Sequence, residues 1–239
     1  MRAIEDFSDR RLKAWCIHCG KWLIDLDCNV DHAPSKSFLQ DPRPENLPVM
    51  KVCKPCNSSF SKDEAYMVAC LSAALSGTTN PEKQVIPSAR RILEKSEPLQ
   101  AQINQSCTYA TMGGERRLVW KPELERIRRI AVKNARGHAF FEIGEPMMHE
   151  PASVSVFALE SLTPGQREEF ENSQGLGFWP EVGSRMMTRL LTGEDLTDHG
   201  WVNVQDGVYR YVAMQTGMMT VRSVLYEYLG IEVHWDDDF

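Results

Sequence analysis

The chain carries Cys16-Ile17-His18-Cys19 and, after a gap of 33 residues, Cys53-Lys54-Pro55-Cys56. A C-x2-C turn lets two thiolates reach one ion from a single knuckle. Two such knuckles complete a closed tetrahedral site for zinc. The gap is longer than in a compact zinc ribbon, so further structure is inserted between the knuckles. Two coincidental pairs would be the bland reading. There are seven cysteines, an odd number, which argues against a disulfide framework. Cys28, Cys70 and Cys107 have no partner at ligand spacing, and Cys70 falls on a helical apolar stripe and reads as core. His18, inside the first knuckle, is a substitute ligand, but four cysteines already fill the site. A structural zinc contributes about 10–16 kcal/mol of apparent binding energy to folding. Residues 1–70 therefore read as a zinc-dependent unit.

The rest of the composition is that of a globular protein. At 239 residues the chain has room for one or two domains. Hydrophobic residues make up 42% and charged residues 25%, which excludes wholesale disorder. The longest uncharged run, Ala65 to Pro81, has too few apolar positions for a membrane span, which needs about 20. The segment Met1-Arg2-Ala3-Ile4-Glu5-Asp6 has no apolar core for a signal peptide, so the expected location is cytoplasmic. The net charge of −6 is uneven: residues 115–136 carry 8 basic and 3 acidic side chains, and residues 137–239 carry 5 and 17. A globally acidic protein is a poor generic binder of nucleic acid, but a local basic block can hold a phosphate backbone.

Between the knuckles lie Asp31-His32-Ala33-Pro34 and Arg43-Pro44-Glu45-Asn46-Leu47-Pro48, and Asn57 directly follows the last cysteine of the pairs. Singly, each has an ordinary reading: surface polarity or a carbonyl-satisfied histidine, a turn asparagine between prolines, a helix-start residue. Together they form a constellation. The knuckles fix the start of the first strand and the start of a helix, which brings Asp31-His32 close to Asn57. Carboxylate and amide oxygens are hard ligands suited to Mg²⁺ or Mn²⁺. A neutral imidazole beside them can take a proton from water near pH 7. One divalent ion and one base suffice for phosphodiester hydrolysis.

These residues resemble the HNH endonucleases, the ββα-metal family, over about residues 10–70. The resemblance rests on Asp31-His32, Asn46 and Asn57, framed by Cys16/Cys19 and Cys53/Cys56. It implies that Asp31 is the metal-binding aspartate and His32 the general base. It implies that Asn46 braces the loop between two strands, and that Asn57 stands where many members have His, so Asp31 and Asn57 hold the catalytic ion. Lys62 matches loosely the basic residue that often follows the Cys-Asn pair. The proline after His32-Ala33 comes one residue earlier than in the commoner Asp-His-x-x-Pro form.

Further along, Ser61-Lys62-Asp63-Glu64 reads as a capping box opening a helix to Leu75, stopped by Gly77. Pro55 suits the first turn of a shorter helix carrying Asn57. Residues 82–105 read as helix broken at Pro98, and Thr111-Met112-Gly113-Gly114 as a turn or linker. Pro122 to Arg136 reads as an amphipathic helix ended by Gly137. On it Arg126, Arg129, Lys133 and Arg136 share a face: either a solvated surface or a phosphate-contacting ridge beside the metal site. Residues 154–158 suggest a strand and Thr163-Pro164-Gly165-Gln166 a helix start. Gly175 to Gly183 reads as a connection, and Glu181 to Leu191 as helix or strand. Strands flank Asp206-Gly207 as a two-residue hairpin, and Met219 to Tyr226 follows Thr216-Gly217 as a third. Trp201, Tyr209, Tyr211, Tyr226 and Tyr228 read as core, with a base-stacking surface the alternative. Asp236-Asp237-Asp238 reads as a solvated end.

The expected fold is α+β: a zinc-stabilised, treble-clef-like HNH domain over 10–76, a helical connector over 77–114, and a C-terminal α+β domain with an antiparallel sheet over 115–239. The expected activity is metal-dependent hydrolysis of DNA, RNA being the weaker substrate, with structural Zn²⁺ and catalytic Mg²⁺ or Mn²⁺. A C-terminal domain of this kind would choose substrate, dimerise or dock a partner, and the arrangement is similar to that of bacterial defence and mobile-element nucleases. The rival readings are a non-catalytic zinc module that binds protein or nucleic acid, and a nuclease subunit active only with a partner.

Overall fold

The computed structural model describes residues 1–7, 13–112, 115–173, 180–215 and 219–236. The fold is α+β. Strands β1 (Cys28–His32) and β2 (Val49–Cys53) form an antiparallel hairpin, with Cys28 opposite Cys53 and His32 opposite Val49. β2 runs directly into α1 (Lys54–Ser59), whose first turn contains Pro55. Proline is favoured there because its missing N–H is not needed. Helix α2 (Ser61–Ser76) follows at once and ends where Gly77 takes a left-handed φ of 66°.

The expected capping box at Ser61 does not form. Phe60, at the cap position, keeps helical angles (φ −83°, ψ −18°), so α1 passes into α2 without the extended residue a cap requires. The Ser61 hydroxyl donates instead to the Ser58 carbonyl, and Glu64 turns away to Ser35 and Lys133.

Helices α3 (Pro87–Lys95) and α4 (Glu97–Gln105) fill the expected helical stretch, which breaks at Ser96. Pro98 sits in the first turn of α4, and the Ser96 hydroxyl caps Leu99 N–H. The expected linker at 111–114 is a hairpin: β3 (Cys107–Met112) pairs with β4 (Glu115–Trp120). Gly113 and Gly114 lie outside the described residues.

Helix α5 (Leu124–Ile143) is the spine of the molecule and is longer than expected. It passes through Gly137 and ends at Gly144, which has φ 93°. Gly137 is there for space. A Cβ at this position would lie 2.5 Å from the Ala33 Cβ and 3.0 Å from the Met50 Sδ. The β1–β2 hairpin is seated directly on α5 at that point.

One face of a five-stranded antiparallel sheet packs on α5. Its strands are β5 (Ser153–Ala158), β6 (Val202–Gln205), β7 (Tyr209–Gln215), β8 (Met219–Leu225) and β9 (Leu229–Trp235), in the order β5-β9-β8-β7-β6. Alternation along β7 sends Tyr209, Tyr211 and Ala213 toward α5, and Val212 and Met214 to the other face. There they meet Phe170 of α6 (Pro164–Glu171) and Trp201. α6 carries a true capping box, Thr163 with Gln166. Glu181 to Leu191 resolves as helix α7 (Arg185–Thr192), capped by Ser184. Residues 174–179, which include the first part of the expected connection Gly175 to Gly183, lie outside the described residues, as do Thr216, Gly217 and Asp237-Asp238.

Two turns differ from expectation. Asp206-Gly207 belongs to a three-residue connection, because Gln205 pairs with Tyr209 after a register shift, and Gly207 (φ 65°) but not Asp206 takes positive φ. Strand β9 is not among the elements expected from the sequence, although Ile231, Val233 and Trp235 alternate with Glu232 and His234. Its connection from β8 is Tyr226-Glu227-Tyr228, between paired Leu225 and Leu229, and Tyr226 and Glu227 both take positive φ (54° and 47°), where glycine or asparagine is usual.

The main core runs without a break from Phe38 through α2, α3 and α5 to Trp235. It spans the divisions expected at 76/77 and 114/115. Trp201, Tyr209 and Tyr211 are fully buried, and Tyr226 and Tyr228 pack against the core. Among the described residues, no helix is long and apolar enough to cross a membrane.

Candidate metal centre and active site

The first knuckle is a tight turn. Gly20 N–H donates to the Cys16 carbonyl at 2.8 Å, Cys16 N–H to the Lys21 carbonyl at 2.9 Å, and Gly20 supplies a φ of 66°. Trp15 and Trp22 bridge across its base with ring centroids 4.5 Å apart. The second knuckle is the β2–α1 junction, with Cys53 at the strand end and Cys56 in the helix.

The four sulfurs of Cys16, Cys19, Cys53 and Cys56 all lie within 4.8 Å of one another. Zinc–sulfur bonds of about 2.3 Å in a tetrahedron require sulfurs about 3.8 Å apart, and the Cys19 and Cys53 sulfurs are 3.8 Å apart. The cluster therefore fits a zinc ion. Burial pushes the Cys56 thiol far up, reinforced by bonds to Cys53 and Cys19. Burial also opposes ionisation of Cys16, but N–H donors from Cys53, His18 and Cys19 outweigh it and hold that thiol below its usual range. Four thiolates this close need a cation among them. Cys28 stands apart, its thiol donating to the Leu23 and Leu26 carbonyls at 3.4 and 3.1 Å. Cys70 is core, and Cys107 begins β3.

The strand register separates Asp31 from His32. Asp31 pairs with buried Met50 on the inner face, while His32 pairs with exposed Val49 on the outer face, which also carries Val30 and Lys51. The Asp31 side chain is 7% exposed. Its Oδ1 accepts from His32 N–H at 2.8 Å and lies 2.8 Å from the Lys133 ammonium. Its Oδ2 lies 3.4 Å from His18 Nε2. Burial raises the Asp31 pKa, but His18 and Lys133 more than offset this, so the carboxylate ionises below its usual range. Burial holds His18 largely neutral against the pull of Asp31, and its Nδ1 is buried without a partner. Burial, then Lys36, lower the pKa of His32 despite Asp31, which leaves a neutral imidazole at pH 7.

Asn57 lies on α1, its amide donating to Asn29 Oδ1 at 3.0 Å. Asn29 is two residues before Asp31 on the same side of β1, so Asn57 borders that face. Asn46, in the loop between β1 and β2, holds a left-handed φ of 55°, and its side chain donates to the Met1 carbonyl at 3.2 Å. Asparagine is among the few residues that tolerate this backbone, which accounts for its presence.

The basic residues of α5 do not make one continuous exposed ridge. Lys133 is buried, bonded to Ser35 and Glu64 as well as Asp31. Arg136 is buried and donates to the His149 carbonyl and Glu150. Arg126 and Arg129 both pair with Asp63, at 2.7 and 2.6 Å, and lie over the Tyr66 and Phe60 rings. Long-range packing buries Lys133 and Arg136, while Arg126 is half-buried and Arg129 stays 44% exposed, each tied to Asp63; helical periodicity alone does not report this. Lys62 is exposed at the start of α2, its carbonyl accepting from Arg126.

Three residues around Asp31 had no sequence assignment there: His18, Ser35 and Glu64. His18 had a weak signal as an extra potential ligand, and Glu64 was absorbed by the capping pattern. Ser35 is held by Asn134, which accepts from its N–H at 3.2 Å. The oxygens around Asp31 already enclose a cation, the lysine ammonium. Carboxylate and hydroxyl donors of this kind also fit a Mg²⁺-type ion.

No protein-family model, no curated protein and no solved structure matches this chain.

Proposed function

We propose that the β1–β2–α1 unit is the head of an HNH endonuclease that hydrolyses DNA phosphodiester bonds, with zinc in its four-cysteine cluster. The observation that carries this reading is the hairpin running straight into a helix, clasped by the four cysteines, with Asp31-His32 at the end of the first strand and Asn57 on the helix. In this reading His32, neutral at pH 7, takes the proton from the attacking water. Asp31, with Asn57, holds the divalent ion. A bound Mg²⁺ or Mn²⁺ supplies Lewis acidity at the phosphoryl group and stabilises the leaving 3′ oxygen. The zinc cluster fixes the register on which this placement depends.

A non-catalytic zinc module is the second reading. It is favoured by the burial of Asp31 against Lys133 and by the opposite facing of Asp31 and His32. Cleavage of supercoiled plasmid with Mg²⁺ or Mn²⁺ separates the two, with wild type beside His32→Ala and zinc measured on both. Cutting by wild type alone at equal zinc content supports the nuclease. No cutting by either protein supports the zinc module.

A further inference from the structure

Lys133 sits in a cage of oxygens drawn from three parts of the chain. Its Nζ lies 2.8 Å from Asp31 Oδ1 on β1, 2.8 Å from Ser35 Oγ after the strand, 2.9 Å from Glu64 Oε1 on α2, and 3.4 Å from the His32 carbonyl oxygen. Its side chain is 2% exposed. An ammonium has three protons to donate, so the cage offers more acceptors than lysine can fill. Two carboxylates, a hydroxyl and a carbonyl are hard-oxygen donors of the sort a Mg²⁺-type ion selects.

We propose that Lys133 is the resident cation of this site and competes with a divalent ion for Asp31. The inference rests on the nuclease reading only in treating Asp31 as an ion ligand. Two cations cannot share Asp31 Oδ1 at contact distance without strong repulsion. Oδ2 offers no open alternative, since it faces the His18 ring at 3.4 Å. Lys133 can release Asp31 because Glu64 and Ser35 remain to hold it. The lysine thus sets the ion affinity of the site, and its charge neutralises Asp31 when no ion is bound. Its place on α5 makes the site depend on the helix that carries the sheet.

The test is Mn²⁺ binding by the zinc-loaded full chain, followed by calorimetry, for wild type and Lys133→Met. The variant should bind Mn²⁺ tighter by roughly tenfold or more, and adding Asp31→Asn should remove the gain. Equal or weaker binding by a folded, zinc-replete Lys133→Met overturns the proposal. Removing a buried charge can prevent folding, so a second measurement uses wild type labelled with ¹⁵N at the lysine Nζ. Titration with Mg²⁺ should shift the Lys133 resonance, and a resonance that stays fixed to the end of the titration overturns the proposal. Plasmid cleavage in the same samples separates this inference from the nuclease reading. Tighter Mn²⁺ binding without cutting sinks only the latter, and cutting with an unmoved resonance sinks only the former.

Discussion

Gly137 of α5 and Ala33 of the hairpin loop approach so closely that a Cβ on Gly137 would lie 2.5 Å from that of Ala33. Both atoms are fixed to backbone, so neither can rotate away. Gly137→Ala must push the hairpin off α5, four residues from Lys133. Although alanine favours a helix over glycine by about 1 kcal/mol, overpacking costs about 1–3 kcal/mol. The net expectation is a loss of stability in urea denaturation. A gain would mean that the two elements are not seated on each other.

The four-cysteine cluster has room for one zinc ion. One zinc per chain is expected by metal analysis, with Cys16→Ser or Cys56→Ser losing both the metal and the folded N-terminal unit. Cys28→Ser should keep its zinc, because that thiol faces the Leu23 and Leu26 carbonyls. Loss of zinc from Cys28→Ser would place the ligand set elsewhere.

Arg126 and Arg129 pair with Asp63, so on the proposed nuclease reading the surface expected to meet phosphate is the outer hairpin face and not α5. The outer hairpin face has Lys51 beside His32, and the neighbouring turn carries exposed Lys36. In duplex binding followed by anisotropy over a salt series, Lys36→Gln with Lys51→Gln should lower the salt slope by about 0.9 for each phosphate no longer neutralised. Arg126→Gln should leave the slope alone and reduce stability instead. The reverse pattern would restore α5 as the DNA-facing surface.

His138 is buried between Tyr209, whose hydroxyl is 2.9 Å from its Nε2, and the stacked ring of Tyr211 at 3.7 Å. Burial, then Lys133, push its pKa down to about 3. An unfolded chain protonates this ring near the ordinary 6.5. The unfolded state therefore binds more protons between these values, and stability falls as pH drops through that window. The contribution is complete above pH 6.5, and its slope approaches about 1.4 kcal/mol per pH unit. Urea midpoints between pH 7 and 5 should decline, and less so for His138→Gln. A flat profile would mean the ring is not held neutral.

The local parts of the fold were legible because their causes are local. The cysteine spacing located the knuckles, Gly77 stopped α2, and the aromatic alternation around Tyr209 and Tyr211 marked a sheet. Long-range packing decided the rest. Glu64 fits a capping pattern, yet Lys133 and Ser35, distant in sequence, claim it. Gly137 resembles a helix stop, but its cause is Ala33. The β8–β9 turn is set by Tyr226, whose hydroxyl donates to the Phe38 carbonyl at 2.9 Å and helps tie down an unusual turn residue. The candidate site was legible as a set of residues around one hairpin. Its facing was not, because pairing register decides that Asp31 points in and His32 out.

The proposed proton abstraction by His32 is tested most directly by single-turnover cleavage of a labelled DNA duplex in Mg²⁺. Wild type and His32→Gly are compared at equal zinc content, with and without added imidazole. His32→Gly is expected to lose about 10²–10⁴-fold in rate, the range of a missing general base, and imidazole to restore part of it. Undiminished cutting by His32→Gly, or a wild type that never cuts, would contradict the nuclease reading.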